Sequence, residues 1–298
     1  TTSQVTRGVV LALCTYFVYS CADASIKALG PKLGIFEISF FSTLFSLVPM
    51  LLAKPADERW SGAFRFQSAK LMHLIGILRV CSGLLVTYSF VTIPLAEVYA
   101  IVFLIPVIIT ILSVIVLREQ VGLERWALVI ISFLGVLLVV RPGFRELELG
   151  HLTVVGCAIC SGIATTLTRM ISGRENRIAL YLVPTVYTVV VSLVLMLIFG
   201  FHWPDWSALV LLVLCGALSG IGFVMQITAL TIAPASRIAP TQYTQIVWAL
   251  ILGALFFAEF PDAIALVGLA VVIAAGIANV IVDGARAGIA GRWHEYRA

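Results

Sequence analysis

Apolar positions along this chain neither alternate nor recur at amphipathic spacing. They run on, and most charges, prolines and glycines gather in the short links between runs. A helix needs about 20 residues to cross about 30 Å of hydrocarbon, and the runs have that length. They predict ten helical spans, over residues 8–29, 34–53, 70–93, 95–117, 124–140, 150–172, 177–200, 206–232, 235–258 and 262–282. An outer-membrane barrel would instead show short alternating segments.

Composition narrows the classes further. The 298 residues are 61% apolar and 11% charged, with a mean hydropathy of +1.10, against about 25% charged and under about 50% apolar in a soluble domain. Such a chain lacks the polar surface to cover a globule in water. A soluble enzyme, a nucleic-acid binder and a disordered chain are excluded, and no link is long enough for an extramembrane domain. Ala22-Asp23-Ala24 resembles a signal-cleavage site, but the apolar run from Gly8 to Ala28 before and through it is too long for a signal core and reads as a retained span. The six cysteines all lie inside apolar stretches, and Cys157-x-x-Cys160 has no second pair or nearby His, so they read as small packing residues.

Charge sets an expected orientation. Fourteen of the 19 Lys and Arg fall on the side of the N-terminus, among them Arg7, Lys54, Arg118, Arg169 and Arg286; four, Lys27, Lys32, Arg141 and Arg145, fall on the other, and Arg79 lies within a span. By the positive-inside rule both termini are cytoplasmic. A repeat is visible at an offset of 140 residues: Pro94-Leu95-Ala96-Glu97 matches Pro234-Ala235-Ser236-Arg237, Gly76 matches Gly216, and Glu119 matches Glu259. Each half then holds five spans, an odd number, so the second half enters the membrane upside down, a recurrent transporter device. The expected fold is all-α integral membrane, ten transmembrane helices in two inverted five-helix repeats, 5–144 and 145–285, with a cytoplasmic tail over 286–298.

A family resemblance rests on four stretches. Residues 96–106, AEVYAIVFLIP, look like the fourth-span motif of EamA-type members of the drug/metabolite transporter superfamily. GVLLVVRPG (135–143) is similar to that family's fifth-span ending, and APTQYTQIVWA (239–249) with FAEFPD (257–262) resembles its ninth span and the turn that follows. The resemblance covers nearly the whole chain. It implies ten helices, a central cavity between the halves, and export or exchange of small metabolites such as amino acids (aromatic ones included), S-adenosylmethionine, vitamins or drugs. It does not name the cargo.

The ninth span is the most polar. On an α-helix Thr241, Gln245 and Trp248 share one face, with Gln242 and Tyr243 beside them. Gln245 lies roughly 12 Å into the span, where an amide must bond to other helices or face a wet cavity. These residues read as a substrate-facing wall or as interhelical glue. Tyr99 and Phe103 on the fourth span, Tyr88 on the third and Gln226 on the eighth are further candidates, with packing as the alternative for the aromatics. Asp23 is placed for an i,i+4 ion pair with Lys27, and as an intramembrane carboxylate it is also a candidate for proton or cargo binding. Glu97 and its repeat mate Arg237 stand at helix ends, as dipole partners or as charges at the two mouths of a pathway. Arg79 is the deepest cation and is expected to be structurally paired.

No catalytic set emerges. The four His are scattered, which gives no metal cluster or triad, and there is no phosphate-binding loop with Lys, so ATP drive is not expected. No cofactor is implied. The reading is a monomeric secondary transporter of the bacterial inner membrane, exporting amino acids in the first instance. S-adenosylmethionine, a vitamin or a drug is the alternative cargo, and a channel or membrane-embedded enzyme the competing class.

Overall fold

Inside a bilayer each backbone N–H and C=O must find its partner within the protein, and helices do this within one segment. Every regular element among the described residues is helical. The computed structural model describes residues 2–53, 66–116, 118, 122–141, 147–171, 175, 177–233 and 238–295. In chain order these are α1 (Thr2–Leu29), α2 (Ile35–Leu52), α3 (Ala69–Thr92), α4 (Leu95–Val102), α5 (Ile105–Ile115), α6 (Leu123–Val140), α7 (Leu149–Ile171), α8 (Arg177–Phe199) and α9 (Trp206–Ile232). A 3-10 helix (Ala239–Tyr243) follows, then α10 (Thr244–Phe257) and α11 (Ala263–Glu295). Seven helices among the described residues are long and apolar enough to cross a membrane, counting Leu95–Ile115 as one; Trp126–Val140 and Ala263–Asn279 are shorter apolar helices.

Three details depart from the expected spans. The fourth span is broken at Phe103–Leu104, because Pro106 has no N–H to give the Val102 carbonyl and its ring crowds that turn. The ninth span opens as a 3-10 turn around Pro240 before becoming α-helical at Thr244. The last helix continues to Glu295, so much of the expected 286–298 tail is helical.

Large apolar side chains cover the outer surface as well as the core. Leu52, Phe199 and Leu255 are 83%, 71% and 71% exposed, which suits a lipid surface. Hydroxyls inside the bundle return to their own backbone, as Thr15 does to Leu11 (2.9 Å) and Thr110 to Pro106 (2.8 Å). Others bridge helices: Ser89 meets Thr153 at 2.9 Å and Ser82 meets Ser161 at 2.5 Å along the α3–α7 seam.

α4 forms the centre of the core. Leu95, Val98, Tyr99, Ala100 and Ile101 are all buried, packed with Ile246 and Ala249 of α10 and Leu269 and Val272 of α11. Around it α1 pairs with α9, α3 with α7, α2 with α9, α3 with α8, and α6 with α11. Small residues set the closest crossings: a Cβ on Gly216 would stand 2.7 Å from the Ser42 carbonyl oxygen, and one on Gly220 2.5 Å from that of Ser46. The Gly216-x-x-x-Gly220 pair therefore works as helix packing.

Several contacts occur twice. Gly8 packs on Ala233 and Gly150 on Ile93; Gly222 faces Tyr19 and Ser82 faces Ser161; Gly216 abuts Phe45 and Gly76 abuts Tyr187. In each pair of contacts one partner is displaced by 142 residues and the other by 140. The two helix breaks, after Phe103 and after Tyr243, are also 140 residues apart, and these two rings stack on each other at 4.6 Å between centroids.

Candidate functional site

The helix pairing brings α1, α4 and α10 together near the bundle centre. Tyr16, Tyr19 and Asp23 fall on one face of α1 at i, i+3, i+7, and that face turns inward. The Asp23 carboxylate accepts a hydrogen bond from the Tyr99 hydroxyl of α4. That hydroxyl also accepts a long bond, 3.5 Å, from the Gln245 amide of α10. Asp23, Tyr99 and Gln245 thus form one polar rung across three helices, with Tyr99 only 3% exposed.

Lys27 does not share this rung. The expected Asp23–Lys27 pair is not formed; the Lys27 ammonium bonds Glu259 at 2.6 Å and the Ile93 carbonyl at 2.6 Å. The reason is local: Pro94 ends α3 and starts α4, leaving the Ile93 carbonyl and the Leu95 N–H without helical partners. Lys27 takes the first and Glu259 the second, at 3.0 Å. Asp23 is left with a phenol and, among the described residues, no basic partner. An ionised carboxylate withdrawn from water costs several kcal/mol unless paired, so this group favours a proton or a cationic ligand.

Aromatic pairs lie on the helices that carry the rung and on their neighbours. Phe90 sits edge-on to Tyr99 at 5.8 Å, Phe17 edge-on to Trp248 at 4.7 Å, and Phe103 stacks on Tyr243. The Tyr19 hydroxyl donates to Gln226 at 3.0 Å, which ties α1 to α9. Such rings offer quadrupole faces to a cation and flat walls to an aromatic group.

The remaining candidates fall elsewhere. Thr241 is buried and gives its hydroxyl to the Ile238 carbonyl at 2.6 Å. The 3-10 geometry turns it about 60° from the face an unbroken α-helix would share with Gln245 and Trp248. Gln242 is half-buried in the same turn. Tyr88 is partly exposed on α3, and no hydrogen bond or ring contact joins it to the rung. Arg79 donates to Thr165 across the α3–α7 seam at 3.1 Å. Glu97 faces His151 at 2.8 Å, a partner the scattered-histidine reading did not anticipate. Arg237 lies outside the described residues. The sequence reading passed over Tyr16 and Tyr19 although it held a usable signal for them, their spacing of seven and four residues from Asp23 on one helix.

At the end of the bundle remote from the N-terminus, three polar bridges join the segments before and after residue 145: Lys27–Glu259, Glu97–His151 and Arg141–Asp262. Asp205 caps α9 there, accepting from the Ala208 N–H at 2.6 Å, and that bond with the Ser207 hydroxyl holds its carboxyl below the usual carboxylate range. A cavity of about 90 Å³ lies at this end, lined by Pro94, Glu97, Ala249, Glu259, Phe260 and Leu269. That is small against the roughly 300–1,000 Å³ of a metabolite pocket.

Apolar helices with lipid-facing surfaces and an inward polar rung define a multi-pass membrane protein whose business lies between its helices. The sequence profile of the EamA-like transporter family matches residues 6–141 and again 148–281, and the chain belongs to that family. It is 24% identical over 270 residues to an S-adenosylmethionine uptake transporter of Rickettsia prowazekii, covering 90% of each chain. It is 26% identical over 283 residues to the pseudopaline exporter CntI of Pseudomonas aeruginosa, covering 91% of this chain and 95% of that one. A solved structure titled "Crystal structure of protein" shares the fold, with a TM-score of 0.66 at 15% identity over 93% of this chain and 97% of the other. The protein is a secondary transporter, not an enzyme, and its substrate is a small molecule.

Proposed function

We propose that the chain carries an amino-acid-type metabolite, zwitterionic or cationic, across a bacterial cytoplasmic membrane by alternating access between two inverted halves. The halves are 5–144 and 145–285, with both termini in the cytoplasm and one chain sufficing for a pathway. The recurring contacts at offsets of 140 and 142 residues, and the doubled family match, favour a repeat. The odd span number of each half favours its inversion. The charge bias across the links favours a cytoplasmic N-terminus.

One observation carries the cargo class: the Asp23 carboxylate, with no basic partner among the described residues, held by the Tyr99 hydroxyl that Gln245 in turn bonds, where three helices meet. It suits an ammonium or sulfonium group, while the amides of Gln242 and Gln245 and the rings of Tyr243 and Trp248 suit the rest of an amphipathic solute. A phosphorylated cargo would want clustered Lys and Arg, and the rung has none. Amino acid export is the first choice. S-adenosylmethionine, with the same amino-acid head and a sulfonium, is the alternative favoured by relatives named as its uptake transporters.

Counterflow in proteoliposomes tests this reading. Saturable exchange of labelled for unlabelled aromatic amino acid, or of S-adenosylmethionine, is expected, and the better exchanged solute names the cargo. Flux that rises linearly with concentration would indicate a channel, and no exchange with either class would overturn the proposal.

A further inference from the structure

Lys27 and Glu259 hold more than each other. Their side chains are 12% and 17% exposed, and each charge also takes one of the two backbone groups that flank Pro94. The pair therefore clamps three things at once: the end of α1, the turn between α10 and α11, and the α3–α4 elbow. Phe257 lies against the ammonium at 5.6 Å, which shields the pair from water on one side.

The register of this clamp relative to the polar rung is informative. Lys27 is four residues beyond Asp23 on α1, and Leu95 is four residues before Tyr99 on α4. The clamp thus lies one helical turn, about 5–6 Å, beyond the rung, and both layers connect the same two helices. α4 is only eight residues long and is broken at Phe103, so its near end is held by this clamp rather than by helical continuity. A group that displaces the Tyr99 hydroxyl from Asp23 shifts the same helices that the clamp holds.

We propose that Lys27 and Glu259 are the gate residues at this end of the pathway, positioning α4 over the Asp23–Tyr99–Gln245 rung and opening as one unit when cargo passes. This rests on the transport reading above. The two charges act as a pair because breaking one side of a largely buried, hydrogen-bonded ion pair strands the other. By the 142-residue offset Arg169, near the end of α7, stands at the opposite mouth where Lys27 stands at this one.

The test is labelling of a cysteine at position 245, in a chain with its six native cysteines replaced, by a membrane-impermeant maleimide in right-side-out and inside-out vesicles without cargo. Lys27→Met and Glu259→Gln are each expected to raise labelling from the face that Lys27 borders by roughly tenfold or more. The double variant should label no faster than the faster single one. Arg169→Met should raise labelling from the opposite face. Labelling at the unaltered rate in monodisperse Lys27→Met and Glu259→Gln proteins, or additive effects in the double variant, would overturn the gate. If one single variant fails to fold, the other decides together with Lys27→Arg, which keeps both the charge and N–H donors for the Ile93 carbonyl: a raised rate in the single variant with a near-starting rate in Lys27→Arg upholds the gate, and an unaltered rate in the single variant overturns it. Failure of counterflow by the unaltered protein would instead strike the transport reading, whatever the labelling shows.

Discussion

Asp23 and Lys27 are a turn apart on one helix, yet the carboxylate goes to a phenol and the ammonium to a carboxylate from the other half of the chain. The division has a physical reason. Of the two only Lys27 has N–H donors to offer the orphaned Ile93 carbonyl at the Pro94 elbow, and Glu259 satisfies the neighbouring Leu95 N–H while neutralising the ammonium. Asp23, shorter and deeper, is left with the Tyr99 hydroxyl and no basic partner among the described residues. Asp23→Asn is expected to abolish the response of transport to an imposed pH gradient, measured in proteoliposomes; a retained response returns Asp23 to a structural role. Tyr99→Phe removes the hydroxyl shared by Asp23 and Gln245, and a hydrogen bond to a charged group is worth about 1.5–3 kcal/mol. Because cargo has to displace that hydroxyl from Asp23, apparent cargo affinity should rise, by roughly tenfold, while the protein stays monodisperse; a fall in affinity would place the hydroxyl on the cargo instead. Trp248→Ala should weaken cargo binding without unfolding, and an unchanged affinity would assign its contact with Phe17 to packing alone.

Elements differ in how readily the sequence discloses them. Each of the ten apolar runs falls on helix, because bilayer thickness writes itself directly into run length. The breaks are harder to read. Pro106 and Pro240 are plain in the sequence, but a proline inside a membrane helix can be absorbed by a gentle kink or can end the helix, and neighbours decide which. That choice moved Thr241 away from the face of Gln245. Lys27 with Glu259, and Glu97 with His151, were illegible for another reason: their partners come from the other half of the chain, and no local spacing records a contact made by tertiary packing. Tyr99 and Gln245 were legible as polar groups too deep to be idle; that they meet Asp23 was not. Two measurements belong at this scale. Pro106→Ala restores an N–H toward the Val102 carbonyl and should slow exchange several-fold by stiffening the fourth span; unchanged kinetics would make the break a packing detail. Gly220→Leu drives a side chain into the α2 backbone and should lower the unfolding temperature in detergent, at a cost of about 1–3 kcal/mol.

In the whole molecule, the contacts that occur twice have one economical explanation. Gly8 meets Ala233 as Gly150 meets Ile93, and Tyr19 meets Gly222 as Ser161 meets Ser82, as the proposed two-fold exchange of the halves would require. Phe103 and Tyr243, counterparts 140 residues apart, touch each other, as residues beside such an axis must. The departures from this equivalence are where chemistry gathers: Asp23 stands where the other half has Thr165, and Arg79 bonds that Thr165. On the transport proposal, a symmetric scaffold with an asymmetric polar interior would let the same pocket face either side by small rearrangements while binding one kind of solute.

The inversion of one half relative to the other is what the transport account depends on. Reporter tags placed ahead of α1 and in the 141–150 link, before the equivalent helix α7, measure it directly in intact cells. The account predicts the first on the cytoplasmic face and the second on the opposite face. Both tags on the same face would contradict it.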